Sequence, residues 1–169
     1  MDDRYYRALA SAIYCGAMSA NGRTITTDDQ RLRASGLYQE WTEMAYGVGD
    51  IRNANGQTWE CFQAHDPEIT PGIVPGDPAW FTFWRPLHGK SPETARPFVP
   101  VMGAHDMYRA GEYMIYTDGQ TYRCKSDTNY SPEDSQIYLC RRTGEEEGGK
   151  VVLQYLPHEL VGQYFEVVE

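Results

Sequence analysis

The sequence predicts an α+β protein in which a helical hairpin precedes two small antiparallel β modules of three strands each. The main observation is an internal repeat: the pattern Gly-Gln-Thr-aromatic-x-Cys occurs at 56–61 and again at 119–124. The second observation is a helical spacing of apolar residues near the N-terminus. The predicted parts are a helical hairpin (1–44), a first β module (45–88), a Pro-rich linker (89–105), a second β module (106–142) and a C-terminal β tail (143–169).

The helical hairpin is predicted from periodicity and capping signals. Apolar residues at helical spacing indicate a first helix over 3–19. The segment Thr27-Asp-Asp-Gln30 has the form of a capping box, with Thr27 as the N-cap of a second helix. That helix extends toward Met44 unless Ser35-Gly36 ends it early. A hairpin with so modest an apolar stripe would barely fold alone, so we expect it to pack on the first repeat or on another subunit.

The first β module is predicted from its turn. Asn55-Gly56 lies between two short apolar runs, and both residues tolerate the positive φ that a two-residue hairpin turn requires. Gly49-Asp50 marks the entry to the first strand. The alternating run over 79–84 is the predicted third strand, after a loop rich in Pro and Gly.

The second β module is predicted from alignment with the first. Tyr46 and Gly49 correspond to Tyr108 and Gly111, with one residue inserted before the turn. The apolar run 137–140 is the predicted third strand of this module. Residues 164–168 in the C-terminal tail are also strand-like.

Charge and cysteine content limit which partners and which kinds of site we expect. Lys and Arg total 15 against 24 Asp and Glu, a net charge of −9, which disfavours direct binding to nucleic acid and is compatible with a basic protein partner. The four cysteines form no Cys-x-x-Cys pair, which argues against a zinc site or a thioredoxin motif. They are interpreted either as buried thiols in a reducing compartment or as including a Cys124–Cys140 disulfide.

The N-terminus carries Asp2 and Asp3 and has no apolar core of a signal peptide, so we expect no signal peptide. No apolar run approaches the length that spans a membrane.

Several residues together resemble the chitin-binding type-3 carbohydrate-binding modules of families 5 and 12. They are Trp41, Tyr46, Gly49-Asp50, Ile51, Gly56, Trp59, Cys61 and the later Trp80 or Trp84. The resemblance covers about 41–86 well and 106–140 weakly. The segment 56–66 together with 78–84 also resembles proteins encoded in phage and prophage genomes, where such modules accompany tail and virion genes. This resemblance implies a protein made in the host cytoplasm that becomes virion-associated or stays there.

Sugar binding needs a flat aromatic face for the pyranose ring and a few polar groups that orient its hydroxyls. The candidate ligand-binding residues are Trp80, Trp84, Trp59 and Tyr122, with Gln63 and Asp66 as polar neighbours. The alternative interpretation is that these aromatics form the core, above all Trp59 and Tyr122, which are equivalent in the repeat. The loop after the second strand, from Gln63, also lacks the aromatic pair common in the family, so the fold can persist without sugar binding.

The sequence contains no nucleophile elbow, Walker loop, dinucleotide fingerprint or His-Glu-x-x-His motif. We therefore predict a non-enzyme without cofactor or metal. Three hypotheses remain. The protein binds a polysaccharide or cell-wall glycan; or it attaches to phage structural proteins, with self-association through the N-terminal helices; or it is an acidic inhibitor of a basic, nucleic-acid-handling host protein.

Overall fold

The computed structural model describes residues 27–128 and 155–168, and these are mostly β. The one α-helix among them is α1 (Asp28–Arg33), and the short 3₁₀ helices are Ser35–Leu37, Trp80–Thr82 and Pro92–Thr94. The strands are β1 (Ile51–Ala54), β2 (Gln57–Cys61), β3 (Trp84–Pro86), β4 (Arg96–Pro97), β5 (Tyr113–Ile115), β6 (Thr121–Cys124) and β7 (Phe165–Val167). No helix in these two ranges has the length and apolar character to cross a membrane.

The predicted α+β class, with a helical hairpin over 1–44, is wrong. The capping box at Thr27 is confirmed, because its side chain accepts from the Gln30 N–H and the Gln30 side chain accepts from the Thr27 N–H. The helix nevertheless ends at Arg33, just before Ser35-Gly36, and the chain then extends so that Trp41 N–H donates to the carbonyl of Asn53 at 2.8 Å. The predicted first helix over 3–19 lies outside the described residues.

The first sheet has the antiparallel order β1-β2-β3. Asn55 and Gly56 both have positive φ, 53° and 74°, which confirms the predicted two-residue turn between Ala54 and Gln57. The predicted third strand over 79–84 is displaced along the chain. Residues Trp80–Thr82 form a 3₁₀ turn, and the strand proper is β3, in which Trp84 pairs with Cys61.

The second sheet has four strands in the order β4-β5-β6-β7, not the three that we predicted. Its first strand, β4, comes from the predicted linker 89–105 and runs parallel to β5. Its last strand, β7, comes from the strand-like C-terminal segment and pairs antiparallel to β6. The run 137–140, which we predicted as the third strand of the second module, lies outside the described residues.

The repeat extends to individual backbone hydrogen bonds. Gly49 N–H donates to the carbonyl of Cys61 at 2.8 Å, and Gly111 N–H donates to the carbonyl of Cys124 at 2.8 Å. The return bonds are also equivalent, because Cys61 N–H donates to Asp50 and Cys124 N–H donates to Glu112. The third strands match too: Trp84 pairs with Cys61 as Phe165 pairs with Cys124.

Each module has its own core of aromatic and sulfur-containing side chains. The first core contains Tyr46, Ala54, Trp59, Cys61, Trp80, Phe83 and Trp84. The second contains Val101, Tyr108, Met114, Tyr122, Cys124, Tyr155 and Phe165. Cys61 and Cys124 are fully buried at equivalent positions, and each thiol donates to a carbonyl two residues ahead at 3.0 Å.

Direct contacts join the two modules. The Tyr113 N–H at the start of β5 donates to the carbonyl of Gly89 at 2.9 Å. The Gln57 amide of the first sheet donates to the carbonyl of Pro97 in β4 at 3.2 Å. Gly89 has to be glycine, since a Cβ there would collide with the carbonyl of Thr94. The segment between the modules is therefore a packed joint and not a loose tether.

We expect Phe165→Ala to lower the free energy of unfolding by about 3–5 kcal/mol, because the ring is fully buried in the second core. Val167→Ala in the same strand is the matched control. Its side chain is 43% exposed, so we expect a loss below about 1 kcal/mol. Urea unfolding monitored by tryptophan fluorescence and circular dichroism measures both. Equal effects of the two substitutions would contradict the placement of β7.

Candidate functional site

The four aromatic residues proposed as a sugar platform lie inside the cores. Trp59 and Trp80 pack against each other with ring centroids 5.1 Å apart, and Trp84 meets the edge of Tyr46 at 5.0 Å. Tyr122 lies in the second core and donates its hydroxyl hydrogen to Asp118 at 2.8 Å. The structure thus brings three of the four together, but as packing partners with little surface open to a ligand.

His65 explains why Trp84 can be fully buried with its polar N–H. The Trp84 Nε1–H donates to Nδ1 of His65 at 3.2 Å, and the opposite ring nitrogen, Nε2, lies 3.3 Å from the carbonyl of Thr70. The imidazole also stacks on Phe83 with centroids 4.6 Å apart. This network assigns a neutral imidazole that donates from Nε2. His65 therefore serves the core, and both of its nitrogens are engaged.

The two polar candidates lie at the rim of the first module. Gln63 is exposed at the start of the loop after β2, and Asp66 is half-buried farther along that loop. The Asp66 carboxylate accepts the N–H of Glu68 at 3.0 Å, which fixes the turn. Neither residue stands beside an exposed aromatic ring, because every aromatic side chain in 27–128 and 155–168 is buried or half-buried.

Asp66 does contribute to an acidic cleft of about 460 Å³ on the first module. The cleft is lined by Glu43, Met44, Ala45, Asp66, Pro67 and Glu68. The antiparallel bridge between Tyr46 and His65 brings the two lining segments together. Ile69, next to the cleft in sequence, is 78% exposed. The lining of the cleft is mostly polar and includes three carboxylates, which can attract a cationic side chain.

A charged network that sequence analysis missed lies on the outer face of the first sheet. Arg85 donates to Asp28 at 2.7 and 2.9 Å and also pairs with Glu60 of the neighbouring strand. Arg31 of α1 donates to Glu60 at 3.1 Å. The network therefore fastens α1 to the sheet. The second sheet has an equivalent cross-strand pair, since Arg85 corresponds to Glu166 and Glu60 to Arg123.

Burial and pairing act in opposite directions on Asp28. Burial alone would raise the pKa of this carboxyl, but the hydrogen bond and charge of Arg85 outweigh it, so the pKa of Asp28 is lowered. The pKa of Asp29 is lowered in the same way, where burial is outweighed by hydrogen bonds from Thr94 and the Lys90 N–H. Both carboxylates therefore stabilise the fold in their ionised form.

A second polar cluster lies at the joint between the modules. His88 stacks on Tyr108 with centroids 3.9 Å apart, and its Nδ1 lies 3.0 Å from the Glu112 carboxylate. The same carboxylate accepts the Arg109 N–H at 2.7 Å. Burial raises the pKa of Asp106, although the N–H groups of Met102 and Gly103 oppose the rise. Asp106, Glu112 and the Nδ1 of His88 have partners that order the joint, whereas the buried Nε2 of His88 has no hydrogen-bond partner among the described residues.

The buried thiols of Cys61 and Cys124 are expected to be poorly reactive. Burial raises the pKa of Cys124 to about 12, and burial likewise raises the pKa of Cys61. Both are free cysteines, and Cys140, the other half of the disulfide considered from sequence, lies outside the described residues. A thiol that stays protonated at neutral pH is a poor nucleophile. In the described ranges, no group of three or more His, Cys, Asp or Glu side chains is arranged to hold a metal ion.

No protein-family model and no curated protein sequence matches this chain.

We expect the protein to lose stability in acid partly through Asp28. Because its folded pKa lies below the ordinary value of 3.8, its contribution is complete above about pH 4 and is lost as the pH falls through the folded pKa. Asp28→Asn is expected to lower the free energy of unfolding by about 1 kcal/mol at pH 7 and to flatten the loss between about pH 4 and pH 2. Denaturant titrations across this pH range measure it. An acid slope identical to that of the unsubstituted protein would contradict the role of Asp28.

Proposed function

We propose that the protein is a non-catalytic accessory protein of a phage or prophage, which attaches to virion or tail proteins through two carbohydrate-binding-type modules. The proposal combines the resemblance of the first module with the geometry of both. In the first module, Tyr46 pairs with His65, Gly49 hydrogen-bonds to Cys61, and a glycine turn joins β1 and β2.

The observation that carries the proposal is the burial of the aromatic platform. Trp59 and Trp84 are at most 1% exposed, and Trp80 is 6% exposed. A pyranose ring needs an accessible aromatic face, so these side chains support a fold inherited without its sugar site. Among residues 27–128 and 155–168, the large hydrophobic side chains that are exposed are aliphatic: Leu37, Met44, Val48, Ile69, Ile115, Val161 and Val167. Aliphatic side chains offer no flat aromatic face on which a pyranose ring could stack.

The joint between the modules adds to this argument. Hydrogen bonds from Tyr113 to Gly89 and from Gln57 to Pro97 cross it, and Phe62 packs on His105 with centroids 4.3 Å apart. Two modules fixed in this way present two surfaces at a constant spacing. A fixed spacing favours attachment to a regular protein assembly, because simultaneous engagement then adds avidity.

Attachment is tested by sedimentation. We expect an epitope-tagged full-length protein, produced in the host during particle formation, to co-sediment with purified particles through a density gradient. A folded, tagged control protein of similar size and charge should stay in the soluble fractions. Recovery of the protein only in the soluble fractions would overturn the proposal.

Glycan binding is tested separately. We expect the purified protein to stay in the supernatant when it is mixed with insoluble chitin or with host peptidoglycan, since no described aromatic residue is exposed. A chitin-binding type-3 module serves as the positive control. Saturable retention on either polysaccharide would favour the glycan-binding hypothesis over attachment to protein.

The acidic cleft supports one alternative, an inhibitor that occupies a basic host protein. Glu43, Asp66 and Glu68 surround the cleft, and the chain carries a net charge of −9. A carboxylate-lined surface can compete for the basic groove of a nucleic-acid-handling protein. Under this alternative the same modules act inside the host cell and not on a particle.

We expect the alternative to show itself as salt-sensitive capture of a nucleic-acid-handling protein from host lysate by the immobilised chain. Replacing Glu43 and Glu68 by Gln should then reduce capture about tenfold, because it removes two of the three cleft carboxylates. Asp77→Asn, on an exposed loop away from the cleft lining, is the matched control. If the amount of captured protein changes neither with salt concentration nor with the Glu substitutions, the cleft is not the contact surface.

A further inference from the structure

The outer faces of the two central strands differ although their inner faces match. In β2, Thr58 on the outer face is 1% exposed, and the Glu60 side chain is 15% exposed. Their equivalents in β6 are Thr121, which is half-buried, and Arg123, whose side chain is 48% exposed. Strand β2 is thus covered on both faces, whereas β6 is covered mainly on one.

The outer face of the first sheet is covered by α1 and the turn that follows it. Arg31 pairs with Glu60, and Asp28 pairs with Arg85. Just beyond the helix, the carbonyls of Ser35 and Tyr38 accept hydrogen bonds from the Asn53 side chain at 2.8 and 2.9 Å. A helix with a basic residue three positions after an acidic one therefore matches the acid–base pair on this sheet.

The second module presents the same face with two changes. The position of Asn53 is occupied by Ile115, which is 40% exposed. The cross-strand pair is reversed in sign, with Arg123 where the first module has Glu60 and Glu166 where it has Arg85. Arg123 and Glu166 lie 3.2 Å apart, and the Glu166 side chain is 43% exposed. This face is therefore more apolar than its counterpart and carries the opposite charge order.

We propose that the outer face of the second sheet, formed by Ile115, Thr121, Arg123 and Glu166, docks a short helical segment of a partner protein in the position that α1 takes on the first sheet. Charge complementarity specifies that segment: a basic residue to face Glu166, an acidic residue three positions later to face Arg123, and an adjacent apolar residue over Ile115. This inference rests on the proposed function, since it names the partner contact.

A second copy of this chain does not fit the same face through its own α1. In the equivalent pose Arg31 would meet Arg123, and Asp28 would meet Glu166. Two like-charge contacts would oppose that docking, whereas the reversed helix gains two opposite-charge contacts. The face therefore selects a partner and rejects self-association through this helix.

The test uses two synthetic peptides and the full-length protein. The first peptide has the sequence of residues 27–38, and the second has the same sequence with Asp28→Lys and Arg31→Glu. Backbone amide shifts in ¹⁵N-labelled protein report the site and the dissociation constant of each peptide. We expect the reversed peptide to bind about fivefold more tightly than the unchanged one, with shifts at Ile115, Thr121 and Arg123.

Two protein variants supply the controls. In Arg123→Glu/Glu166→Arg the charge order becomes that of the first module, so the preference between the peptides should invert. Ile115→Glu should weaken binding of the reversed peptide about tenfold while the spectrum of the first module stays unchanged. Equal affinity of both peptides, no shifts with the reversed peptide, or shifts confined to the first module would each overturn the proposal.

Particle sedimentation separates this inference from the proposed function. If the Ile115→Glu protein still co-sediments with particles and the peptides do not bind, attachment stands and this face is not the contact. If the unsubstituted protein fails to co-sediment while the reversed peptide binds as expected, the docking face stands and the assembly is a different one.

Discussion

One tyrosine at the start of each module holds together three parts of the chain. The backbone of Tyr46 pairs with His65, its hydroxyl accepts the N–H of Thr42 at 3.0 Å, and its ring lies in the first core. Tyr108 has the same roles, with Thr128 as its backbone partner and the N–H of Val99 on its hydroxyl at 3.0 Å. A buried hydroxyl without a partner costs about 1–3 kcal/mol, so the chain must pass beside each ring in a fixed way. That constraint carries the preceding aromatic residue onto the ring: Trp41 stacks on Tyr46 at 6.4 Å, and Phe98 stacks on Tyr108 at 5.4 Å.

The parts of the fold that sequence could predict are those set by short-range signals. The Asn55-Gly56 turn and the capping box at Thr27 each follow from neighbouring residues, and the structure confirms them. The interpretation of Cys61 and Cys124 as buried thiols also agrees with the structure. The identity of the third strand in the second module depends on pairing between segments that are far apart in the sequence. The run 137–140 is richer in strand-forming residues than β7, which contains Glu166, but the strand that pairs with β6 is β7, with the fully buried Phe165 opposite Cys124. Likewise β4 contains a proline at a sheet edge, where proline is tolerated, and so its sequence resembles a linker.

The candidate site was harder to predict, because a stacking platform and an aromatic core use the same residue types. Spacing along the chain placed Trp59, Trp80 and Trp84 in one module correctly, but it carries no information on which ring faces are covered. The 3₁₀ turn at Trp80–Thr82 directs Trp80 onto Trp59, and His65 supplies the acceptor that allows Trp84 to be buried. A buried indole N–H needs such an acceptor, so the histidine in the loop after β2 was the available signal for a core position.

The two modules show which positions of this fold are constrained by packing and which are free to vary. At two inner positions, one in the strand after the glycine turn and one in the third strand, the equivalent residues keep aromatic bulk: Trp59 corresponds to Tyr122 and Trp84 to Phe165. Losing such volume would open cavities, which is strongly destabilising. On the outer faces a cross-strand ion pair can exchange its two charges without loss to the sheet itself, since each arrangement still pairs opposite charges. The exchange of charges changes only which segment can pack on the outer face of the sheet. The first sheet can therefore bind α1, while the equivalent face of the second sheet disfavours the same helix. The charges of two residues on each sheet thus separate intramolecular packing from the choice of partner.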